Sequence, residues 1–218
     1  MIVVIQCAAR KREDAGVLRT REGKPVFFVG DPFAAPASEN CIYARPDDMS
    51  DQGATWREVL VRYNEKPGGN ALGLYPASEL YKNEVYRELA QKFGVENTYI
   101  LSAGWGLIPS SFLTPFYDIT FSASAEEWKR RKKRDAYADL SKIPNDRDEQ
   151  ILFVGGKDYL PLFLRITATA RSPRTILYNS AIMPHAPGCN LIRFPTTTRT
   201  NWHYECASAL IRGDFIFE

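Results

Sequence analysis

Four short stretches of this 218-residue chain concentrate the side chains that can do chemistry. "QCAARKR" (6–12) offers the thiol of Cys7 and the cations Arg10, Lys11 and Arg12. "SAGWGLIPSSFLTPFYDITF" (102–121) offers Ser102, then Gly104 and Gly106 around Trp105, then Tyr117 and Asp118. "GGKDY" (155–159) brings Lys157 and Tyr159, and "TNWHYE" (200–205) brings Asn201 and His203. The shared content is aromatic, basic and amide, with few acids. Rings stack on bases, amides read their edges and cations hold phosphate, so this mixture suits a nucleobase and its phosphates.

Each candidate has a second reading. Asp118 follows "PFY", in aromatic surroundings. A carboxylate there could stabilise a sugar cation or activate a water, as carboxylates do in glycoside cleavage; the alternative is a turn cap before "ITF". Cys7 could be a nucleophile, but no base stands near it in the sequence, and the alternative is a buried structural thiol. The glycines around Trp105 could admit a ligand close to the backbone, or could make a tight turn with Trp105 in the core. His203 could protonate or bind a leaving base, or sit at a helix start. Glu205 lies two residues on, and only one of the pair can point inward from a helix. The run "KRRKKR" (129–134) could contact phosphates through Lys129, Arg130, Lys132 and Lys133, or be a solvated face.

Several classes are excluded. No C-x-x-C spacing supports zinc, no Walker spacing supports ATP hydrolysis, and no acid–histidine–serine arrangement supports a serine hydrolase. The net charge is +2, so any polyanion site arises from local clustering. No run approaches the roughly 18 apolar residues of a membrane helix. "IVVIQC" after Met1 is too short, and too poor in basic residues before it, for a signal peptide. With four scattered cysteines, a cytoplasmic protein with reduced thiols is expected.

The elements that must position these loops follow from periodicity. Short apolar runs at 2–7, 97–103, 149–156 and 174–180 read as buried strands. Helical spacing covers 55–65, 76–94, 124–143, 158–170 and 202–213. In 76–94 Ser78 is the expected N-cap and Gly94 the stop; in 124–143 Ser124 and Glu127 have capping-box spacing. Alternating strands and helices imply a single α/β domain over 1–218, with a mostly parallel central sheet flanked by helices. Residues 19–50 read as a small insertion, a strand and a second short strand around a Pro-rich turn, in the manner of a hairpin. In such sheets ligands gather beyond the carboxyl ends of the strands, which selects the loops with Gln6, Cys7 and Arg10 to Arg12, the stretch 102–121, the loop 155–159 with Asp158, and the loop with Asn179, Ser180, Met183 and His185.

The order of these pieces resembles the YaaA (peroxide stress) family and its DUF6884-type relatives. "LSAGWGLIPSSFLTPFYDITF" carries most of the likeness, with "YPASELYKNEVYRELA" before it and "GGKDY" after it. It covers most of 1–10 and 72–213 and leaves 11–70 unmatched. The resemblance implies an α/β core with a DNA-binding cleft, and picks Ser102, Gly104, Gly106, Tyr117 and Asp118, with Cys7 and Lys11. The expectation is a DNA glycosylase without metal or cofactor. It would flip out and excise a modified base such as glucosylated hydroxymethylcytosine, leaving an abasic site, in antiviral defence. Asp118 and His203 would act on the bond. Trp105 and Tyr117 would wall the pocket; Asn201, Lys157 and Tyr159 would also contact the substrate. Arg10 and Arg12 would join the basic run on the DNA backbone. The alternatives are a DNA-binding stress protein without catalysis and a glycosylase or transferase acting on free nucleosides.

Overall fold

The computed structural model describes residues 1–66, 68–132, 134–144 and 147–215. In chain order the elements begin with β1 (Ile2–Gln6), β2 (Leu18–Arg19), β3 (Pro25–Val29), β4 (Ile42–Ala44) and α1 (Trp56–Glu65). Then come β5 (Tyr75–Pro76), α2 (Ala77–Leu80), α3 (Val85–Phe93), β6 (Thr98–Ser102), β7 (Gly106–Pro109), β8 (Leu113–Thr114) and β9 (Tyr117–Asp118). The last are β10 (Leu140–Ser141), β11 (Ile151–Val154), α4 (Leu160–Ile166), β12 (Arg174–Tyr178), β13 (Asn190–Arg193) and α5 (Trp202–Arg212).

The fold is α/β. Its main sheet has seven strands in the order β10-β7-β6-β1-β11-β12-β13, and only the β6–β7 pair is antiparallel. All four expected strands lie in it. The apolar runs are continuous because both faces are covered. Phe153 of β11 stacks on Phe163 of α4, with ring centroids 4.5 Å apart. Its neighbours Leu152 and Val154 pack instead with Trp202, Cys206 and Leu210 of α5. The order along the sheet reverses about β1, so the loops after β1 and β11 open side by side. Among the described residues no helix is long and apolar enough to cross a membrane.

Three expectations are corrected. The helix expected over 76–94 is broken. Tyr81 is extended (φ −89°, ψ 141°) and bridges Lys11, and α3 restarts at Val85 beneath an Asn83 side-chain bond. Ser78 lies inside α2, where its buried hydroxyl donates to the Ser110 carbonyl, so it caps nothing. The helix expected over 124–143 is absent from the described residues: a single 3-10 turn spans Glu127–Lys129 and an edge strand follows at Leu140–Ser141. The insertion is not a simple hairpin. β3 pairs antiparallel with β2 but parallel with β4 and with β9, so residues 18–44 and the loop after β6 build one small second sheet.

Candidate functional site

The stretch after β6 is held by its own backbone chemistry. The Ser102 hydroxyl accepts from the amides of Gly104 (3.2 Å) and Trp105 (3.1 Å) and donates to the Tyr117 hydroxyl at 2.8 Å. Two buried arginines take the carbonyls that follow. Arg131 donates to Ala103 at 2.9 Å; Arg57 donates to Gly104 at 3.0 Å and to Trp105 at 2.9 Å. Trp105 is fully buried, 4.9 Å from the Phe28 ring. A Cβ at Gly104 would meet the Ile119 and Tyr117 side chains, and one at Gly106 (φ +89°) would meet the Leu140 backbone at 2.5 Å. The close approach these glycines permit is therefore to the protein itself. Ser102, Gly104, Trp105, Gly106 and Tyr117 all lie in the core, and none lines the cleft described next.

That cleft, of about 350 Å³, opens beyond the carboxyl ends of β1 and β11. Gln6 and Cys7 form its floor, and Tyr159, Trp202 and Tyr204 give it aromatic walls. Thr120, Ser122, Asp158, Arg199 and Asn201 supply polar groups around it. The floor is orientationally fixed. The Gln6 amide oxygen accepts from the Gly156 N–H at 2.6 Å, so its nitrogen faces His203, 3.3 Å from Nε2 and 3.4 Å from Nδ1. Burial pushes the His203 imidazole down to about 4. At neutral pH it is uncharged and suited to hydrogen bonding, not to protonating a leaving base. The Cys7 thiol lies 3.2 Å from the Tyr159 hydroxyl and receives the Ala103 amide. Asn201 stands just before α5 with φ 60°, the one non-glycine residue with positive φ among the described residues, and its side chain caps nothing. A second cavity of about 360 Å³, which Lys157 lines, shares Gly156, Asp158, Arg199 and Trp202 with the first.

Asp118 is not among the cleft's lining residues; its carboxylate is 2.9 Å from Lys129 Nζ. Among the described residues, Asp158 is the one carboxylate that lines the cleft. Lys11 is buried behind the loop after β1, its ammonium 4.1 Å over the Tyr117 ring, and burial pushes it below its ordinary value. Much of the basic run is used internally. Lys129 also pairs with Glu126 at 2.6 Å, Arg131 is buried against Asp139, and the Arg130 Nε is buried with no partner among the described residues. Lys132 is exposed, and Lys133 lies outside the described residues. Arg12 forms a two-pronged bond with Asp14, whereas Arg10 is exposed beside the cleft. Of the pair two residues apart, His203 points inward and Glu205 outward, as the helical geometry requires.

The cleft thus brings together Cys7, Tyr159, Asn201 and His203 from the sequence candidates and leaves out the 102–118 set. Sequence reasoning assigned nothing specific to Gln6, Asp158, Arg199, Trp202 and Tyr204, which also line the cleft. For Gln6 and Asp158 a signal existed, since Gln6 ends β1 and Asp158 sits in the loop after β11. For Arg199 there was none. No family model, curated protein or solved structure matches the chain.

Proposed function

We propose that the protein is an N-glycosylase that receives a nucleobase in the cleft after β1 and β11. The observation that carries this reading is the Asp158 carboxylate in the lining of a cleft with aromatic walls and a fixed amide on its floor. Its volume suits a small planar ligand. Tyr159, Trp202 and Tyr204 offer faces for stacking, and Gln6 and Asn201 offer amides to base edges. Cleavage of an N-glycosidic bond builds positive charge on the sugar. A carboxylate in a partly desolvated site stabilises that charge and orients the water. The water oxygen bonds to the anomeric carbon, and the base leaves with the bonding electron pair and takes up a proton. In this reading the carboxylate role falls to Asp158, which lines the cleft, in place of Asp118, which does not. The neutral imidazole of His203 holds the Gln6 amide.

For the substrate we keep a modified base in DNA, with a glucosylated hydroxymethylcytosine as the first to test and removal from phage genomes as the use. The YaaA resemblance supports this choice; the basic run supports it less, because Lys129 and Arg131 are engaged in ion pairs. That engagement favours, as a second reading, cleavage or transfer on free nucleosides. Incubation with genomic DNAs carrying different modified bases, and in parallel with free nucleosides, tests both. Mass spectrometry of released base and an abasic-site assay give the readout. Release from DNA supports the first reading, release from nucleosides alone the second, and no release from either overturns the glycosylase assignment.

A further inference from the structure

Lys11 is a buried ammonium with no carboxylate at ion-pair distance among the described residues. It donates instead to two consecutive main-chain carbonyls, Ala8 at 3.0 Å and Ala9 at 3.5 Å. This arrangement has a geometric result. Each peptide is planar and trans, so the N–H in a peptide plane points opposite to its carbonyl. The N–H groups of Ala9 and Arg10 share planes with those two carbonyls and are turned away from the ammonium. Neither has a hydrogen-bond partner among the described residues. Ala9 lines both the cleft and an adjoining cavity of about 520 Å³, which Arg10, Lys82, Asn83, Asn201 and Tyr204 complete. Among the described residues no carboxylate lines that cavity. Lys82 is tied to Glu13 at 2.7 Å, while Arg10 forms no ion pair among the described residues.

The geometry points to the Ala8–Arg10 loop as a phosphate subsite, in which the two amide N–H groups and the Arg10 guanidinium hold the phosphate, with Lys11 as the positioning residue that aims those N–H groups. Successive backbone N–H groups on one side of a turn form a concavity that binds anions, and a guanidinium matches phosphate oxygens in pairs. Asn201 and Tyr204 belong to both cavities, so a phosphate in one sits next to a sugar and base in the other. A phosphodiester of DNA and the phosphate of a free nucleotide offer the same chemistry here. The subsite rests on the reading of the cleft as a nucleotide-sized site, but its test involves no bond cleavage, so the two can fail separately.

The test follows backbone amide resonances of the 15N-labelled protein during titration with inorganic phosphate, at ionic strength matched with chloride. The Ala9 and Arg10 amides are expected to shift saturably with phosphate and not with chloride. Arg10→Ala should weaken phosphate binding about tenfold, the lower end for a charged hydrogen bond. Lys11→Met, folded by circular dichroism, should displace both amides in the free protein and lose the response, whereas Lys92→Ala should retain it. If Lys11→Met does not fold, the wild-type titration and Arg10→Ala decide. Parallel titrations with a nucleoside 5′-monophosphate and with an unmodified oligonucleotide identify the source, and a response to either supports the subsite. Absence of saturable phosphate shifts at Ala9 and Arg10, or equal shifts in chloride, overturns it.

Discussion

Asp139→Asn tests whether the basic run serves the fold or a ligand. Arg131 and Asp139 form a two-pronged pair at 2.7 and 2.6 Å, with side chains only 2% and 3% exposed. The second cation on Asp139, Arg165, reaches it from the surface at 2.5 Å. Replacing the carboxylate by an amide keeps the shape but leaves a guanidinium buried without its counter-charge. Removing one partner of a buried pair costs about 3–5 kcal/mol, which for a chain of this size lowers the melting temperature by roughly 6–20 °C. Calorimetric unfolding of wild type and variant gives the value directly. Arg165→Ala is the control, expected to cost no more than about 1 kcal/mol because that partner is exposed. Arg131→Met with Asp139→Leu should lose less than Asp139→Asn alone, since no charge is then stranded. An Asp139→Asn loss under about 1 kcal/mol would show that water reaches the pair, and Arg131 would join the candidates for ligand contact.

Three further outcomes are expected. His203 is held down to about 4 in the fold, against an ordinary 6.5. Its neutral form thus stabilises the fold fully above 6.5, and that contribution, about 3 kcal/mol, is lost as pH falls from 6.5 to 4. Urea midpoints across this window should decline more steeply for wild type than for His203→Gln, and parallel slopes refute the assignment. Asp158→Asn should reduce single-turnover base release on the order of a hundredfold, the size of losing one preorganised group; Asp118→Asn should leave it unchanged, and the reverse pattern would restore the sequence-based choice. Gly106→Ala should destabilise by more than about 2 kcal/mol in thermal unfolding, because its positive φ and the Leu140 backbone both oppose a Cβ.

The four central strands were legible because each is a short apolar run buried on both faces, a pattern with few other uses. β7 and β13 were not. "GLIP" carries a glycine and a proline, and "NLIR" stands in a tail rich in threonine and proline. The expected helix over 124–143 shows how local signals lose. Ser124 and Glu127 have capping spacing, but Arg131 gains more from the Asp139 pair and the Ala103 carbonyl than from a helical turn. At Tyr81 a tertiary bond, hydroxyl to hydroxyl with Tyr117 at 2.8 Å, accompanies the break in the pattern. The cleft was legible by position, in the loops after β1 and β11 and at the start of α5. At 102–118 the structure puts Ser102, Trp105 and Tyr117 in the core, and a loop dense in aromatic and polar groups looks the same from sequence whether it serves a ligand or its own core.

Arg57 and Arg131 approach the loop after β6 from sequence positions 46 or more residues to one side and 26 or more to the other, and between them they occupy three consecutive carbonyls. Arg57 is itself fixed by Asp47 at 2.5 Å, whose other oxygen receives the Ala138 amide at 2.9 Å. Residues 47, 57, 103–105, 131 and 138–139 are therefore one indivisible exchange unit. A chimera that joins this chain to another α/β protein can cross over before Asp47 or after Asp139 without cutting those bonds. A junction anywhere between severs a guanidinium from its carbonyls or from its carboxylate, even where it falls in an exposed turn that an alignment would recommend.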